Sequence, residues 1–105
     1  MKINALLIDD IDNVVTCVAD VPAGSEVCYR KGDELLSLRA EEDIPYCHKI
    51  ALKDFAEGDE VIKYGESLGR TTEAVKTGHR LWDKNMRSVP RDYDSEFVEI
   101  TGGNG

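Results

Sequence analysis

The chain has 105 residues, a hydrophobic content of 41% and a formal net charge of -8 at pH 7. This length allows one small domain with a modest core and little room for a deep active-site cleft, so a self-contained enzyme is uncommon at this size. The acidic balance argues against nucleic acid as a partner, because binding a phosphate backbone needs a basic face.

No apolar run approaches the roughly 20 residues that cross a bilayer, and the apolar segment 5–8 lacks the basic start and cleavage site of a signal peptide. We therefore expect a cytoplasmic protein without membrane contact. The cysteines Cys17, Cys28 and Cys47 form no C-x-x-C pair, and their odd number leaves at least one unpaired. Reduced, partly buried thiols are the expectation, and a zinc or redox site is the alternative.

The first predicted elements are a strand and a helix. Residues 1–8 alternate loosely and end in an apolar run, which favours an opening β-strand. Aspartates at positions 9, 10 and 12 supply candidate helix N-caps, and valines at 14, 15 and 18 come next with helix-like spacing. A single short helix over 13–19 is therefore predicted. It would depend on packing, because β-branched residues are poor helix formers.

From residue 20 onward, a turn pattern recurs: an acidic residue, an apolar residue, two variable residues, glycine, two variable residues and an apolar residue. Segments 20–27 (D-V-P-A-G-S-E-V) and 54–61 (D-F-A-E-G-D-E-V) fit it, and segment 73–81 approximates it. A glycine with positive φ reverses the chain cheaply, so each copy predicts strand, turn, strand. Because the copies are unevenly spaced, we predict a compact, mainly β fold of barrel-like or clip-like form and not a solenoid.

Two further signals set the limits of the domain. Segment 31–34 (K-G-D-E) is typical of a hairpin tip between two strands. The β pattern closes at residues 82–85, after which the chain is polar and ends in T-G-G-N-G. We therefore place a β domain at residues 1–85 and a tail at 86–105, in which Phe97, Val98 and Ile100 could form an edge strand or contact a partner.

His48 and Lys49 are the candidate catalytic residues. They come after a break at Pro45 and precede an alternating strand, so they lie where a loop enters a strand and polar groups can meet a ligand. Imidazole can act as a general base, a metal ligand or a hydrogen-bond donor near neutral pH. A surface or hydrogen-bonded structural histidine is the alternative for His48.

Five residues are candidates for substrate binding: Lys63, Tyr64, Gly65, Arg70 and Asn85. A lysine ammonium can hold a carboxylate, a tyrosine hydroxyl can reach a polar group, and the forked guanidinium of arginine fits a carboxylate or phosphate. Ordinary solvated side chains are the alternative. The acidic runs at 9–12 and 41–43 lack the spacing and central glycine of a calcium loop, so no metal ligand is predicted in this chain.

Several segments together resemble a known family, the SAF domain of altronate and galactarate dehydratases. The resemblance covers residues 12–85 and is specific in the joint occurrence of H-K-I-A-L at 48–52 and V-I-K-Y-G-x-x-x-G-R at 61–70. It is supported by D-N-V at 12–14, D-V-P-A-G at 20–24, D-I-P at 43–45 and D-F-A-E-G at 54–58. The resemblance implies a β-clip fold, either as the N-terminal part of a dehydratase or as a separate small subunit, as in sulfolactate sulfo-lyase.

The resemblance also implies removal of water or sulfite from a hydroxy acid. Its implied partners are a large catalytic subunit and a small acidic sugar, with Fe²⁺ or Mn²⁺ held mainly by the large subunit and none by this chain alone. Such an elimination builds enolate-like charge, which a metal and cationic side chains stabilise. One departure matters: the family commonly has V-H-x-H-N where this chain has L-W-D-K-N at 81–85, so Trp82 and Lys84 replace both histidines.

The sequence supports three hypotheses. The first is a lyase small subunit that is inactive alone and contributes His48, Lys49, Lys63 or Tyr64 to a shared site. The second is a non-catalytic module that binds a small acidic carbohydrate or a protein. The third is a homo-oligomer that exposes its glycine-rich loops as an interaction surface.

Overall fold

The structure, a computed structural model, describes residues 2–88. Its elements within that range are nine β-strands: β1 (Ala5–Leu6), β2 (Val14–Cys17), β3 (Glu26–Lys31), β4 (Glu34–Arg39), β5 (Lys49–Ala51), β6 (Glu60–Lys63), β7 (Glu66–Thr71), β8 (Arg80–Leu81) and β9 (Met86–Ser88). Four strands form a central sheet in the order β1-β2-β5-β8, while β3-β4 and β6-β7-β9 form two smaller sheets. All of these pairs are antiparallel. The prediction of a mainly β fold is confirmed.

The predicted helix over 13–19 is wrong, because this segment contains β2. The β-branched side chains that weaken a helix favour a strand. The side chain of Asn13 accepts a hydrogen bond from the Ile62 N–H at 2.8 Å and donates one to the Glu60 carbonyl at 3.0 Å. These bonds tie the start of β2 to β6. No helix that could span a membrane occurs among residues 2–88.

The aspartates that suggested a helix N-cap serve a different turn. The buried carboxylate of Asp12 accepts hydrogen bonds from the backbone N–H groups of Asp9, Tyr64 and Gly65, at 3.0, 3.1 and 2.8 Å. Two of these donors lie in the turn between β6 and β7, more than fifty residues away. Asp12, which has the sequence position of a local helix N-cap, therefore makes hydrogen bonds mainly to residues that are distant in the chain.

The recurring turn occurs four times among the described residues, once more than the sequence pattern predicted. Its left-handed position is taken by Gly24 (φ 86°), Cys47 (φ 72°), Gly58 (φ 86°) and Gly78 (φ 91°). The copy around Cys47 was missed because it lacks a glycine. In the last copy the apolar position is Val75, which pairs with Phe55 just as Ile44 pairs with Val21. The predicted hairpin tip at 31–34 is confirmed, since Lys31 pairs with Glu34.

The four turns divide the domain into two similar units, which we call repeat 1 (residues 14–47) and repeat 2 (residues 48–78). Equivalent backbone hydrogen bonds recur in both units. The Cys47 N–H donates to Cys17 and the Gly78 N–H donates to Ala51, each at 2.9 Å. Likewise, the N–H groups of Gly24 and Gly58 donate to the carbonyls of Ala40 and Thr71. The chain thus repeats one arrangement of turn, hairpin, turn.

The central sheet lies between two hydrophobic core clusters. The first contains Ala5, Val15, Cys17, Val21, Val27, Ala40, Ile44 and Ile50. The second contains Val14, Ala51, Phe55, Val61, Val75 and Leu81. Successive residues of a strand face opposite sides, so β2 and β5 each contribute to both clusters. Repeat 1 therefore covers one face of the sheet and repeat 2 covers the other.

The end of the domain and the cysteines complete the fold. Residues 86–88, predicted to begin the tail, form β9 and pair with β7. The rest of that tail, with Phe97, Val98 and Ile100, lies outside the described residues. All three cysteines are free thiols, of which Cys17 and Cys28 are buried and Cys47 is exposed. Burial raises the pKa of the Cys17 thiol to about 11, which suppresses thiolate formation there.

Candidate functional site

His48 and Lys49 lie where the second turn of repeat 1 enters β5. The Cys47 backbone is fixed by its bond to Cys17, and the His48 carbonyl accepts the Cys17 N–H at 2.9 Å. Lys49 pairs with Thr16 on one side and Leu81 on the other, and it shares a sheet face with Ala51 of the second core cluster. Both side chains are half-buried.

Three side chains lie around the indole of Trp82, just after the end of β8. The guanidinium carbon of Arg80 lies 3.5 Å from the indole centroid, and the Lys84 Nζ lies 5.4 Å from it. The His48 ring centroid is 6.3 Å away, with the planes tilted by 57°. Such cation–π contacts hold positive charge beside an aromatic face.

The electrostatic environment of Lys49 is unusual for a lysine. Burial lowers the pKa of Lys49, and the nearby positive charge of Lys63 lowers it further, while Asp83 acts in the opposite direction. Two ammonium groups therefore stand close together at the edge of the second core cluster. We call the set of His48, Arg80, Trp82 and Lys84, whose side chains lie around the indole, the Trp82 cluster.

The hairpin turn of repeat 2 positions Lys63 and Tyr64. Tyr64 and Gly65 both have positive φ, at 61° and 72°, which is the backbone of a two-residue hairpin turn matching the twist of its strands. Asp12 accepts both of their N–H groups. The Lys63 Nζ lies 5.0 Å from the Tyr64 ring centroid, and the tyrosine is exposed. The structure thus brings His48, Lys49, Lys63 and Tyr64 towards one region.

Two other predicted residues have structural partners instead. The Arg70 guanidinium donates to the Gly58 carbonyl at 3.0 Å and so closes a turn of repeat 2. The buried Asn85 side chain accepts from the Trp82 N–H at 2.9 Å and donates to the Arg80 carbonyl at 2.6 Å. Asn85 therefore fixes the backbone that presents Arg80 and Trp82, and its role in substrate binding stays a prediction, as does that of Arg70.

The sequence patterns missed Arg80 and His79. The Glu42 Oε2 atom is 3.0 Å from the His79 Nδ1 atom and accepts the Arg80 N–H at 3.0 Å. His79 and Asn85 also line a shallow cavity of about 300 Å³. Segments 48–50 (H-K-I) and 79–81 (H-R-L) come after equivalent turns, so recognising the turn at Cys47 would have aligned Arg80 with Lys49.

The resemblance implies Fe²⁺ or Mn²⁺ held mainly by a larger subunit, and the described residues of this chain offer no ligand set for such a metal. Among residues 2–88, no group of three or more histidine, cysteine, aspartate or glutamate side chains could hold a metal ion. Hard divalent cations need several oxygen or nitrogen ligands. The chemistry that the Trp82 cluster offers is instead that of positive charge and hydrogen-bond donors, which suits an oxyanion.

Comparison with known proteins agrees with the resemblance seen in the sequence. Residues 3–89 match the family model of the altronate/galactarate dehydratase SAF domain. The chain is 35% identical to altronate dehydratase of Escherichia coli K12 over 94 residues, which are 90% of the chain and 17% of that enzyme. It is 34% identical to the galactarate dehydratase of the same organism over 83 residues, 79% of the chain and 15% of that enzyme.

A third relative differs in length. The chain is 31% identical to subunit alpha of (2R)-sulfolactate sulfo-lyase from Chromohalobacter salexigens over 91 residues, which are 84% of the chain and 97% of that subunit. It thus spans under a fifth of the two dehydratases and nearly all of the subunit. With a family model that covers 87 residues and the turns, strands and site described above, the chain belongs to the altronate/galactarate dehydratase SAF domain family.

Proposed function

We propose that this chain is the small subunit of a hydroxy-acid lyase and acts together with a separate, larger catalytic subunit. The observation that carries the proposal is that a half-buried Lys49, acted on by the charge of Lys63, follows directly after a His48 that lies beside Trp82, in a domain of this family. The match to 97% of a sulfo-lyase subunit alpha supports a subunit role. The substrate class is a small acidic sugar or a related hydroxy acid, in keeping with the names of the relatives.

Elimination from a hydroxy acid needs a group that accepts the proton beside the carboxylate. Because its pKa is lowered by burial and by Lys63, Lys49 populates its neutral amine at a lower pH than an exposed lysine does. A neutral amine can accept a proton, and so can an imidazole such as that of His48. The remaining cations would stabilise negative charge on the carboxylate as it becomes enolate-like.

In this proposal the larger subunit supplies the rest of the site. Any Fe²⁺ or Mn²⁺ would be held there, since residues 2–88 offer no ligand set of their own. The small subunit would contribute the cationic edge around Lys49 to a cavity that both chains enclose. Activity is therefore expected only when both chains are present.

The test is reconstitution. The tagged chain is purified from its native lysate with its partner, and dehydration of altronate and galactarate and desulfonation of sulfolactate are measured with added Fe²⁺ or Mn²⁺. We expect turnover that requires both chains. Lys49→Met keeps the apolar stem and should lower kcat about 100-fold, while Lys31→Met, at the exposed hairpin tip, should leave it unchanged.

The pH profile separates a base from a structural lysine. If Lys49 accepts the proton, the acidic limb of the kcat profile disappears in the Lys49→Met variant, whereas a purely structural loss would lower the whole profile equally. His48→Ala with unchanged turnover would remove His48 from the site. Turnover that persists without the small chain would overturn the proposal.

A second candidate function is a non-catalytic binding module. It is favoured by Trp82 and Lys84, which stand where the family commonly has two histidines, because an indole cannot shuttle protons as imidazole does. This module would bind its ligand without turnover, even with a larger subunit present. Binding of a hydroxy acid by a complex that gives no product with any of the three substrates would support it over the lyase subunit.

A further inference from the structure

The strand β4 has a partner on one side only. Within residues 2–88 it pairs with β3 alone, whereas β7, its counterpart in repeat 2, pairs with β6 on one side and with β9 on the other. The two strands are equivalent, because the residue at the end of each hairpin, Ala40 or Thr71, accepts the N–H of a turn glycine through its carbonyl. The edge that β9 covers in repeat 2 thus has no strand beside it in repeat 1 among the described residues.

The register of the β3-β4 hairpin shows which backbone groups face this edge. The Ala40 N–H donates to the Ser25 carbonyl at 2.9 Å, and six consecutive pairs follow without a shift. Bonds between antiparallel strands fall on every second residue, so those to β3 are made by the even-numbered residues of β4. The N–H and carbonyl groups of Leu35 and Ser37 therefore point away from β3.

The open edge has clear limits. On the far side of the hairpin, both outward backbone groups of Cys28 are bonded to Asn4, at 2.7 and 3.0 Å. At the end of β4, a Cβ on Gly78 would lie 2.5 Å from the Arg39 carbonyl oxygen, so a turn of repeat 2 closes the edge there. The edge that stays accessible is segment 34–38 (E-L-L-S-L).

Segment 34–38 lacks the features that usually protect the edge of a sheet. It contains no proline, lysine or bulge, and its one charged residue is Glu34. Leu35 is 45% exposed, and Leu36 and Leu38 are half-buried. A regular, apolar edge of this kind is a template for an added strand.

The charge of the hairpin favours a second copy of the chain as the occupant. Segment 26–39 contains three acidic and three basic residues, so it has no net charge in a chain whose net charge is -8. The whole negative excess therefore lies elsewhere in the chain. Two copies can approach through this hairpin with less repulsion than through a surface that carries the excess.

The edge is also complementary to itself. In antiparallel pairing, the outward residues of one strand oppose outward residues of the other. About a two-fold axis, the register that uses both outward residues of both copies puts Leu35 opposite Ser37 of the second copy. Leu36 then opposes Leu36 of the second copy as a close, non-hydrogen-bonded pair, with Cα atoms about 4.5 Å apart. Such a pair covers apolar surface that is half-exposed in the single chain.

We propose that the β4 edge is a dimerisation surface, at which two copies of this chain pair antiparallel about a two-fold axis at Leu36. The two hairpins then form one four-stranded sheet. The contact uses repeat 1 alone, so it does not rest on the proposed function. It also differs from the homo-oligomer suggested by the sequence, whose contacts would be glycine-rich loops.

Self-association of the full chain is the first test. It is measured by sedimentation equilibrium at physiological salt, with a reductant because Cys47 is exposed. So short a strand contact is smaller than a standard interface, and we expect a monomer–dimer equilibrium with a Kd between about 10 µM and about 1 mM. A chain that remains monomeric at about 1 mM would overturn the inference.

Cross-linking tests the register. In a chain whose exposed thiol is removed by Cys47→Gly, Leu36→Cys places one cysteine of each copy at the axis, at a Cα distance that a disulfide can span. Ser37→Cys is the matched control, because it opposes Leu35 and faces the other side of the sheet. Mild oxidation should give disulfide dimers at least about fivefold faster for Leu36→Cys. Random collision would favour the more exposed Ser37→Cys, and that order would reject the pairing.

Paired charges test the same register without a new cysteine. In the double variant Leu35→Lys, Ser37→Lys, like charges oppose each other twice across the axis, and the Kd should rise at least about tenfold. In Leu35→Lys, Ser37→Glu, opposite charges do so, and the Kd should stay within about threefold of its original value. Both positions are exposed, so both variants are expected to fold, which urea unfolding checks. Equal changes in Kd would contradict the inference, and the cross-linking result stands if either variant fails to fold.

Amide exchange separates a second copy from other occupants. With a second copy on the edge, exchange of the Leu35 and Ser37 amides should slow as the chain concentration rises, while the Leu36 amide, which bonds to β3, changes little. Protection that does not vary with concentration would assign the edge to residues 89–105 of the same chain. Protection that appears only with a larger subunit would assign it to that subunit. Either result would overturn the inference and leave the proposed function standing.

Discussion

Repeat 1 and repeat 2 have similar backbone arrangements but differ in the side chains just beyond their last turn. In repeat 1 the turn leads to His48 and Lys49, and in repeat 2 it leads to His79 and Arg80. The His79 ring is paired with Glu42, whereas the His48 ring faces Trp82. The turns themselves are held by backbone hydrogen bonds that recur in both units. Side chains after the turn can therefore diverge without loss of the fold, which is how one arrangement carries two local chemistries.

The hairpins of the two repeats also differ. The β3-β4 hairpin has six consecutive paired positions, while β6-β7 has a register shift between Val61 and Ile62. Only the second hairpin has a further described strand, β9, which pairs with β7 at Gly69. A bulge bends the strand and re-aims its side chains. The irregular hairpin is also the one that presents Lys63.

The largest effect is expected from a substitution at Gly69, where the β6-β7 hairpin of repeat 2 meets β9. A Cβ at this position would meet the Arg87 carbonyl oxygen and would lie 2.8 Å from the Ser88 Cα. Both are backbone atoms, so β9 would have to move. We expect Gly69→Ala to lower the free energy of unfolding by about 3 kcal/mol. Urea unfolding measures the loss, and amide exchange should show faster exchange in β9.

The matched variant lies in the repeat 1 hairpin. Gly32 has φ 60°, and a Cβ there would meet nothing within 4 Å, so Gly32→Ala introduces backbone strain without a clash. Its expected cost is about 1 kcal/mol. Equal losses for the two variants would show that the approach of β9 to Gly69 does not distinguish the hairpins.

The next largest effect on stability is expected when a residue of one turn is replaced by the residue at the equivalent turn position. Cys47 holds φ 72° with a side chain, where the other three turns have glycine. Cys47→Gly should stabilise the protein by about 0.5 to 1 kcal/mol, because relief of left-handed strain exceeds the extra entropy of glycine in the unfolded chain. Thermal and urea unfolding under reducing conditions measure the gain.

The reverse exchange tests the same idea in repeat 2. Gly58 has φ 86°, and a Cβ at this position would meet nothing within 4 Å. Gly58→Cys should therefore lose about as much stability as Cys47→Gly gains. A Cys47→Gly variant less stable than the unaltered chain would mean that the Cys47 side chain makes a contribution larger than its strain.

Cys47 also shows which part of the fold the sequence could reveal. Glycine marks a left-handed turn, and three of the four turns were predicted on that signal. A cysteine gives no such signal, so the turn before His48 was missed. The helix prediction failed because Asp12 looks like a local N-cap, while two of its three donors lie in a turn distant in the chain. Long-range hydrogen bonds leave no local pattern.

The candidate site shows the same division between local and long-range signals. The H-K-I-A-L and V-I-K-Y-G motifs led to His48, Lys49 and Lys63, which the structure brings into one region. Arg70 was chosen because it comes directly after a motif glycine, although its guanidinium closes a turn. Arg80 has no motif of its own, and the backbone that carries Arg80 and Trp82 is held by the buried Asn85 side chain. The sequence motifs do not show that an asparagine has this structural role.

The smallest expected effect is on the free energy of unfolding at acidic pH. Asp54 accepts hydrogen bonds from the Thr77 N–H and hydroxyl, both at 2.9 Å, and these bonds lower its pKa from 3.8, with a further contribution from Lys76. The folded state therefore favours the ionised carboxylate. This stabilisation is complete well above pH 3.8 and is lost as the pH falls through the lower folded value.

Asp54→Asn tests this linkage because it keeps an acceptor oxygen and removes the titration. Between about pH 5 and about pH 2.5, the free energy of unfolding should fall less steeply in this variant than in the unaltered chain. Asp20→Asn is the counterpart in repeat 1, where the carboxylate accepts the Tyr46 N–H. Parallel slopes for Asp54→Asn and the unaltered chain would show that ionisation of Asp54 does not contribute to the loss of stability in acid.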